Sequence, residues 1–209
     1  AYEFVFGDWS SDVCSSDLFL LLVAALRGFT AASCYNSQGL DKSTGLSMKY
    51  QIRPDDLQGP EIAALLAAHM ADMQATSPPE SVHALDLAAL RQPEIRFWTL
   101  WQQPDPVTPA ILAGCIALKQ LDARHGEIKS TRVDPSCPGH GYGRLLVEHL
   151  LAEARQSGLK RVSLETGSMA FFQPARALYQ QFGFIECPPF ADYQEDPNSV
   201  FMTLELPQD

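Results

Sequence analysis

The stretch VDPSCPGHGYGRLL, residues 133–146, places Gly139, Gly141 and Gly143 at alternate positions directly before an amphipathic leucine pattern. A strand, a glycine-rich turn and a helix N-terminus bring unobstructed N–H groups and the positive end of a helix dipole to one point. Such a point binds a phosphate or pyrophosphate without a charged side chain. The stretch therefore predicts a site for an anionic cofactor, and tight packing of the helix on the strand is the alternative interpretation.

The turn differs from two common nucleotide-binding motifs. It is not a P-loop, because no Lys-Ser/Thr pair follows Gly143. It also lacks the GxGxxG spacing and the ribose-binding acid of a dinucleotide fold. The residues therefore indicate a pyrophosphate site of another kind, with a nucleotide-binding domain kept as an alternative.

Composition limits the class of protein. The chain has 209 residues, of which 46% are apolar and 19% charged, enough for one well-buried core. A net charge of −10 without a Lys/Arg cluster argues against a nucleic-acid partner. The five cysteines are odd in number and form no CxxC pair, which fits neither a zinc site nor a disulfide framework. We expect no metal site, reduced thiols and a cytoplasmic protein.

The first 47 residues differ from the rest of the chain. Their apolar run, residues 18–26, is too short to span a bilayer, and acidic residues precede it where a signal peptide carries Lys or Arg. Neither export nor a membrane partner is expected. The string DWSSDVCSSDL, residues 8–18, resembles translated sequencing-adapter sequence. We therefore predict that residues 1–47 are a non-native or disordered extension and that the domain spans residues 48–209.

From Met48 onward the hydrophobic periodicity and the Gly/Pro punctuation predict alternating strands and helices. A strand begins at Met48, a helix with one buried face begins at Pro60, and Gly158 ends a later helix. The further predicted elements are a weak helix at 82–90, a hairpin of strands 95–101 and 111–121, a strand at 127–133, a helix at 141–156, a strand at 161–166, a helix at 174–182 and a strand at 199–206.

Two motifs resemble those of the GCN5-related N-acetyltransferase (GNAT) superfamily. The turn at residues 138–143 occupies the place of the Q/R-x-x-G-x-G/A motif, with Pro138 where Arg or Gln is usual. The signature N-x-x-A-x-x-L-Y-x-x-x-G-F is met by Ala175, Leu178, Tyr179, Gly183 and Phe184, with Phe172 in place of the asparagine. The resemblance covers residues 48–206 and implies one α/β (α+β) domain with a mixed, largely antiparallel sheet flanked by helices.

The resemblance also implies the cosubstrate and its site. Acetyl-CoA is the expected acetyl donor, and the family's pyrophosphate turn binds it through backbone groups. The positions carried over from the family are Arg132, Val133, Gly139, His140, Gly141, Tyr142, Gly143 and Arg144. The reaction implied is direct acetyl transfer to an amine in a ternary complex.

Three residues are candidates for catalysis. Tyr179 matches the family's general acid, and a half-buried helix aromatic is its alternative interpretation. Glu127 matches a position where several members carry the general base, the alternative being a solvated strand-end carboxylate. Glu165 on the next strand competes for that role, or forms an ion pair with Lys129 or Arg161. A lone turn histidine such as His125 is more often exposed than catalytic.

The motifs do not identify the acetyl acceptor. Residues 77–90 and 187–199 are expected to wall its site, where Tyr193, Glu195 and Asp196 would attract a cationic amine or form a solvated loop. The favoured function is acetyl transfer to a primary amine of a small metabolite. A protein N-acetyltransferase and a non-catalytic acyl-CoA-binding or sensing module are the alternatives, and a homodimer is left open.

Overall fold

Eight strands form one sheet in which all but one neighbouring pair run antiparallel. The computed structural model describes residues 35–40, 47–103, 107–137 and 139–207. In chain order the strands are β1 (Tyr35–Leu40), β2 (Ser47–Pro54), β3 (Ile95–Gln103), β4 (Ile111–Gln120), β5 (His125–Val133), β6 (Arg161–Gly167), β7 (Ile185–Glu186) and β8 (Ser199–Glu205). The order across the sheet is β1-β2-β3-β4-β5-β6-β8-β7, and β5 and β6 are the parallel pair. The expected mixed, largely antiparallel sheet is confirmed.

Helices cover both faces of the sheet. They are α1 (Pro60–Thr76), α2 (Leu87–Leu90), α3 (Tyr142–Gln156) and α4 (Gln173–Gln181). Side chains of α3 and α4 share one buried cluster with Leu118 of β4, whereas those of α1 and α2 share a second cluster with the adjacent Ala117. Because successive strand side chains point to opposite faces, α3 and α4 lie on one face and α1 and α2 on the other.

The helix boundaries follow from local chemistry. Pro60 occupies the first position of α1, where its missing N–H is not needed and its fixed φ suits a helix. Gly158 follows α3 with a φ of 76°, the left-handed conformation that commonly ends a helix. These predicted boundaries are confirmed.

The predicted helix at 82–90 is wrong over its first half. Helix is present only in α2, which Asp86 caps by accepting the Ala89 N–H at 2.8 Å. A single 3₁₀ turn, Pro79–Ser81, precedes it. Pro78 and Pro79 and the short apolar pattern account for this, since a helix of one turn depends on tertiary contacts rather than on propensity. The two-residue β7 was too short for its pattern to predict.

β1 lies inside the range assigned to the N-terminal extension. It pairs antiparallel with β2, from Tyr35 opposite Ile52 to Leu40 opposite Ser47, and forms one edge of the sheet. The adapter-like string at 8–18 and the apolar run at 18–26 lie outside the described residues. The domain boundary at residue 48 stays a prediction, and β1 supplies the element whose removal tests it.

Candidate active site

β5 and β6 pair over only part of their length. Their parallel register ends where Ile128 lies opposite Leu164, although β5 continues to Val133 and β6 to Gly167. Among the described residues no β5–β6 pair follows that point. The two strands therefore separate and leave a gap in the sheet.

A β-bulge on β5 accompanies this separation. The pairing of β5 with β4 shifts register between Cys115 and Ala117. There, one β4 residue opposes both Ser130 and Thr131, and Ser130 adopts a φ of 51°. Bulges bend the strand that carries them and re-aim its side chains. The bulge thus turns β5 away from β6 beside the predicted catalytic residues.

The glycine turn lies at the end of β5 and leads into α3. Gly139 and Gly141 have φ values of 75° and 68°, which L-residues with a side chain rarely adopt. A Cβ at either position would meet no atom within 4 Å, so the space in front of this backbone is open. The first N–H groups of α3 also lack intrahelical acceptors. The described part of the turn fits an anionic group, and close packing does not explain these two glycines; Pro138 lies outside the described residues.

The side chains of the turn are engaged elsewhere. Tyr142 is buried and donates its hydroxyl hydrogen to Gln102 Oε1 at 2.8 Å. The His140 ring packs against Tyr142 with 5.3 Å between centroids. Arg144 Nε lies 2.9 Å from Glu148 Oε1 on the surface of α3. At Tyr142 and Arg144 the backbone N–H is therefore the group available to a phosphate.

Val133 presents its backbone to the gap. Asp134 donates its N–H to Ala113 O of β4 at 2.9 Å, and successive strand residues direct their backbone groups to opposite edges. The Val133 N–H and C=O therefore face the gap, and those of Arg132 face β4. The Arg132 side chain instead forms an ion pair with Asp72 of α1 at 2.7 Å. Of these two predicted contact positions, the geometry favours Val133.

Glu127 is a buried carboxylate with two polar partners. Its residue is 2% exposed, so the interpretation as a solvated strand-end group is wrong. Oε1 accepts the Tyr193 hydroxyl at 2.7 Å and lies 3.1 Å from Lys129 Nζ. Lys129 Nζ also donates to Tyr193 Oη at 2.5 Å and to His83 O at 3.3 Å. Lys129, considered as an ion-pair partner of Glu165, is thus paired with Glu127 instead.

Glu165 lies on the same face of the sheet as Glu127. Glu127 is opposite Ser163 in the β5–β6 register, and Glu165 follows Ser163 by two residues. Glu165 is half-buried and accepts the Ser199 hydroxyl at 2.7 Å. Burial raises its pKa above the ordinary range, and the hydrogen bond from Ser199 offsets only part of this. The structure therefore brings both candidate bases to the point where the strands separate.

Tyr179 approaches the gap from the opposite face. It belongs to the core cluster under α3 and α4 and packs against Phe184 with 5.6 Å between ring centroids. Burial raises the pKa of Tyr179 to about 12. The Thr131 hydroxyl lies close enough to lower that pKa in part, yet it makes no hydrogen bond among the described residues. The Tyr179 hydroxyl consequently keeps its proton at neutral pH.

The two segments predicted to line the acceptor site contact each other near Glu127. The His83 ring of residues 77–90 packs edge-on against the Tyr193 ring of residues 187–199, with 5.1 Å between centroids. Asn198 Nδ2 donates to Ser81 Oγ at 3.3 Å. We call residues 187–199 the strap. The strap carries Tyr193 directly onto the buried carboxylate.

Two of the three acidic residues of the strap, Glu195 and Asp196, do not reach the buried carboxylate as Tyr193 does. Glu195 is exposed, and Asp196 accepts the backbone N–H of Asn198 at 2.8 Å. The Ser81 hydroxyl holds the pKa of Asp196 below its usual value. Asp196 thus has a local structural role in shaping the strap.

Two other reactive side chains lie outside this arrangement. His125 is buried, which corrects the expectation of an exposed turn histidine. Arg161 donates to its Nδ1 at 3.1 Å, so the ring is neutral and its Nε2–H points to Ser163 Oγ at 2.8 Å. Burial raises the pKa of Cys137 beside the turn, which keeps its thiol protonated. Neither group has the geometry of a nucleophile–base pair.

Two contacts of the site are not predicted from the sequence: the hydrogen bond from Ser199 to Glu165 and the ion pair of Lys129 with Glu127. The position of Lys129 two residues after Glu127 on one strand could have indicated their pairing, because such residues share a face. No local pattern connects Ser199 with Glu165, which is 34 positions away in sequence. Phe172, which replaces the family asparagine, packs so closely on Gly167 that a Cβ there would overlap its ring.

The described residues contain neither a candidate metal site nor a membrane-spanning helix. Within the described ranges, no group of three or more His, Cys, Asp and Glu side chains converges in a way that could hold a metal ion. Across the same part of the chain, no helix combines the length and apolar character needed to span a membrane.

Comparisons with known proteins agree with this geometry. The sequence profile of the Acetyltransferase (GNAT) family matches residues 62–184. The chain is 53% identical over 155 residues to the uncharacterized N-acetyltransferase YsnE of Bacillus subtilis, covering 74% of this chain and 99% of that protein. It is 45% identical over 157 residues to the uncharacterized N-acetyltransferase YedL of Escherichia coli, covering 75% and 95%.

A solved structure supports the fold independently. A presumed acyl-CoA N-acyltransferase from Klebsiella pneumoniae superposes with a TM-score of 0.58 at 30% identity. The superposition covers 75% of this chain and 97% of that structure. The matches therefore cover almost the whole length of these relatives. In this chain they include the domain that contains the gap, the glycine turn and the two carboxylates.

Proposed function

The chain belongs to the Acetyltransferase (GNAT) family of acetyl-CoA-dependent acyltransferases, and we propose that it transfers the acetyl group directly to a primary amine of a small metabolite. One observation carries the proposal. Where β5 leaves β6, the open glycine turn, a buried tyrosine on one face of the sheet and two carboxylates on the other lie around a single gap. Direct transfer needs an acyl-donor site, a proton acceptor and a proton donor close together.

Bound acetyl-CoA supplies an activated thioester and a thiolate leaving group. The backbone of Gly139 and Gly141 and the first N–H groups of α3 would hold its pyrophosphate, because they are open and carry the positive end of the helix dipole. The Val133 N–H and C=O would hold the amide groups of the pantetheine arm in the gap. These contacts would hold acetyl-CoA at the gap, with Tyr179 on one face of the sheet and Glu127 and Glu165 on the other.

Glu165 is the better proton acceptor for the amine. A carboxylate whose pKa is raised by burial binds a proton more readily near neutral pH than an ordinary glutamate does. Glu127 instead shares its Oε1 with the Lys129 ammonium and the Tyr193 hydroxyl. Both partners contact the same oxygen, so Oε1 is already engaged and is not free to accept a proton from the amine. The contacts thus favour Glu165 over Glu127, reversing the order of preference from the sequence.

Tyr179 is the proposed proton donor to the departing sulfur. A tyrosine hydroxyl is protonated at neutral pH, and burial raises the pKa of Tyr179 further, to about 12. A donor must retain its proton until negative charge develops on the leaving group. The position on the face opposite Glu165 separates donor from acceptor, so that the two do not neutralise each other.

The walls of the site favour a small acceptor. Residues 77–90 and the strap contact each other through His83 and Tyr193 and through Ser81 and Asn198. These contacts cover the carboxylates on the acceptor side. A protein acceptor would need a segment narrow enough to enter beneath them, which makes acetylation of a peptide the competing outcome of the test.

The test is release of CoA from acetyl-CoA in the presence of a panel of amino acids, small amines and peptides, measured against pH. Glu165→Gln should depress kcat/KM most at low pH and recover as the pH approaches the pKa of the acceptor amine, because free amine then replaces the lost base. Glu127→Gln should show no such recovery.

Two results would contradict the proposal. Alkaline recovery in Glu127→Gln, with a profile for Glu165→Gln parallel to that of the parent, would transfer the base to β5. Binding of acetyl-CoA without CoA release for any acceptor would instead favour an acyl-CoA-binding module.

A further inference from the structure

We propose that Lys129, Tyr193 and Ser199 are positioning residues that sort two neighbouring carboxylates into a fixed anion, Glu127, and a proton acceptor, Glu165. The inference rests on the proposed function, since it concerns the base of that reaction. It extends it by assigning the strap a direct part in the acid–base chemistry.

The contacts distinguish the two carboxylates clearly. Glu127 Oε1 lies 3.1 Å from Lys129 Nζ and accepts the Tyr193 hydroxyl at 2.7 Å. Glu165 Oε1 accepts a hydroxyl from Ser199 at 2.7 Å. The ammonium, whose side chain is 9% exposed, is therefore directed to one carboxylate of the two.

The strap supplies a hydrogen-bond donor to each carboxylate. Tyr193 lies in its middle and Ser199 at its end, where β8 begins. The Tyr193 ring is held by His83, Phe190 and Phe201, with centroid separations of 5.1, 5.2 and 5.3 Å. This aromatic packing fixes the Tyr193 hydroxyl, so the docked strap fixes the orientation of both acids.

Charge balance gives the arrangement its consequence. The groups that face Glu165 are Glu127 and Lys129 of β5, His83 of the segment above, and Tyr193 and Ser199 of the strap. The Glu127 charge raises the pKa of Glu165, and the Lys129 charge lowers it. Because the two charges are paired, they largely cancel at Glu165. Loss of Lys129 alone should therefore leave an uncompensated anion beside the base.

The experiment is a carbon-13 NMR titration of side-chain carboxyl groups in the full chain, assigned by the signals lost in Glu165→Gln and Glu127→Gln. In the parent, Glu165 should titrate above the ordinary range of a glutamate, because burial raises its pKa. Lys129→Met should raise the apparent pKa of Glu165 by about 1 unit, the usual scale for a neighbouring charge. Lys49→Met, which removes an exposed lysine on β2, should move neither signal.

A double variant guards against misfolding, because Lys129→Met leaves a buried carboxylate unpaired. Glu127→Gln with Lys129→Met removes both charges and should return the Glu165 titration toward that of the parent. Ser199→Ala should raise the pKa of Glu165 further, because it removes the hydroxyl that Glu165 accepts.

An unchanged Glu165 titration in Lys129→Met would overturn the inference, and so would a parent in which Glu165 titrates in the ordinary range of a glutamate. The titration needs no acceptor. A failed amine panel with the expected titrations would therefore refute the proposed function alone, and the converse result would refute only the sorting of the two acids.

Discussion

Tyr179 shows how a single side chain depends on both its motif and its surroundings. Its place in the second family signature predicts a role at the reacting sulfur. Its burial on α4 raises the pKa of the hydroxyl. Thr131 is the polar neighbour, and it lies on the part of β5 that has bent away from β6. The chemistry of the residue and the bulge in the strand are therefore coupled.

Replacing Tyr179 with Phe should separate binding from turnover. The ring keeps its packing on Phe184 while the hydroxyl is lost, so acetyl-CoA should bind with unchanged affinity. The rate of CoA release should fall by roughly 10²-fold, the usual scale for a positioned proton donor. Calorimetry and steady-state kinetics measure the two quantities. Tyr50→Phe, which alters a buried tyrosine on β2, is the control and should keep full turnover; equal activity of Tyr179→Phe and the parent would remove Tyr179 from the mechanism.

At the scale of elements, the glycine turn between β5 and α3 shapes the backbone and is also the proposed pyrophosphate site. Substitutions at two glycines of similar backbone conformation can separate these two roles. Gly141 precedes α3 and Gly158 follows it, with φ values of 68° and 76°. Neither has an atom within 4 Å of a Cβ position. A side chain at either site therefore brings a similar backbone penalty, on the order of 1–2 kcal/mol, but only Gly141 lies at the proposed phosphate site.

Gly141→Val and Gly158→Val should destabilise the fold to a similar extent and differ in cofactor binding. Gly141→Val should weaken acetyl-CoA binding by more than about tenfold, equivalent to ~1.4 kcal/mol, because a β-branched side chain enters the open space before the turn. Thermal melts with and without acetyl-CoA measure both effects. Equal ligand-induced shifts in the two variants would show that the turn does not hold the pyrophosphate.

At the scale of the whole molecule, the sheet has one edge that lies outside the domain predicted from sequence. In the described part of the sheet β1 pairs with β2, and the gap between β5 and β6 lies three strands further into the sheet from β2. The described groups of the site lie on β5, β6, α4 and the strap, away from this edge.

Deleting residues 1–47 should leave the fold and acetyl-CoA binding intact. We expect the melting temperature to fall by less than about 5 °C, since an edge strand contributes few of the buried contacts. Deleting residues 1–34 keeps β1 and is the matched control. Unfolding or loss of acetyl-CoA binding in the longer deletion alone would show that β1 belongs to the functional domain.

The sequence determined the elements that local chemistry controls. Hydrophobic periodicity and Gly/Pro punctuation located the β3–β4 hairpin, α1, α3 and α4, and the two motifs indicated the family. The short elements could not be located from the sequence pattern. β7 has two residues and α2 four, too few for a period to be read against chance.

Only the tertiary structure decided the charges and partners of the catalytic groups. Glu127 and Lys129 are two residues apart, but Tyr193 joins them from 66 positions beyond Glu127, and Ser199 reaches Glu165 across 34. The separation of β5 from β6 likewise accompanies a bulge in the pairing of β5 with β4, a strand on its other edge. Proton affinity depends on burial and on charges a few ångströms away, and folding brings those neighbours from distant parts of the chain, where no local pattern records them.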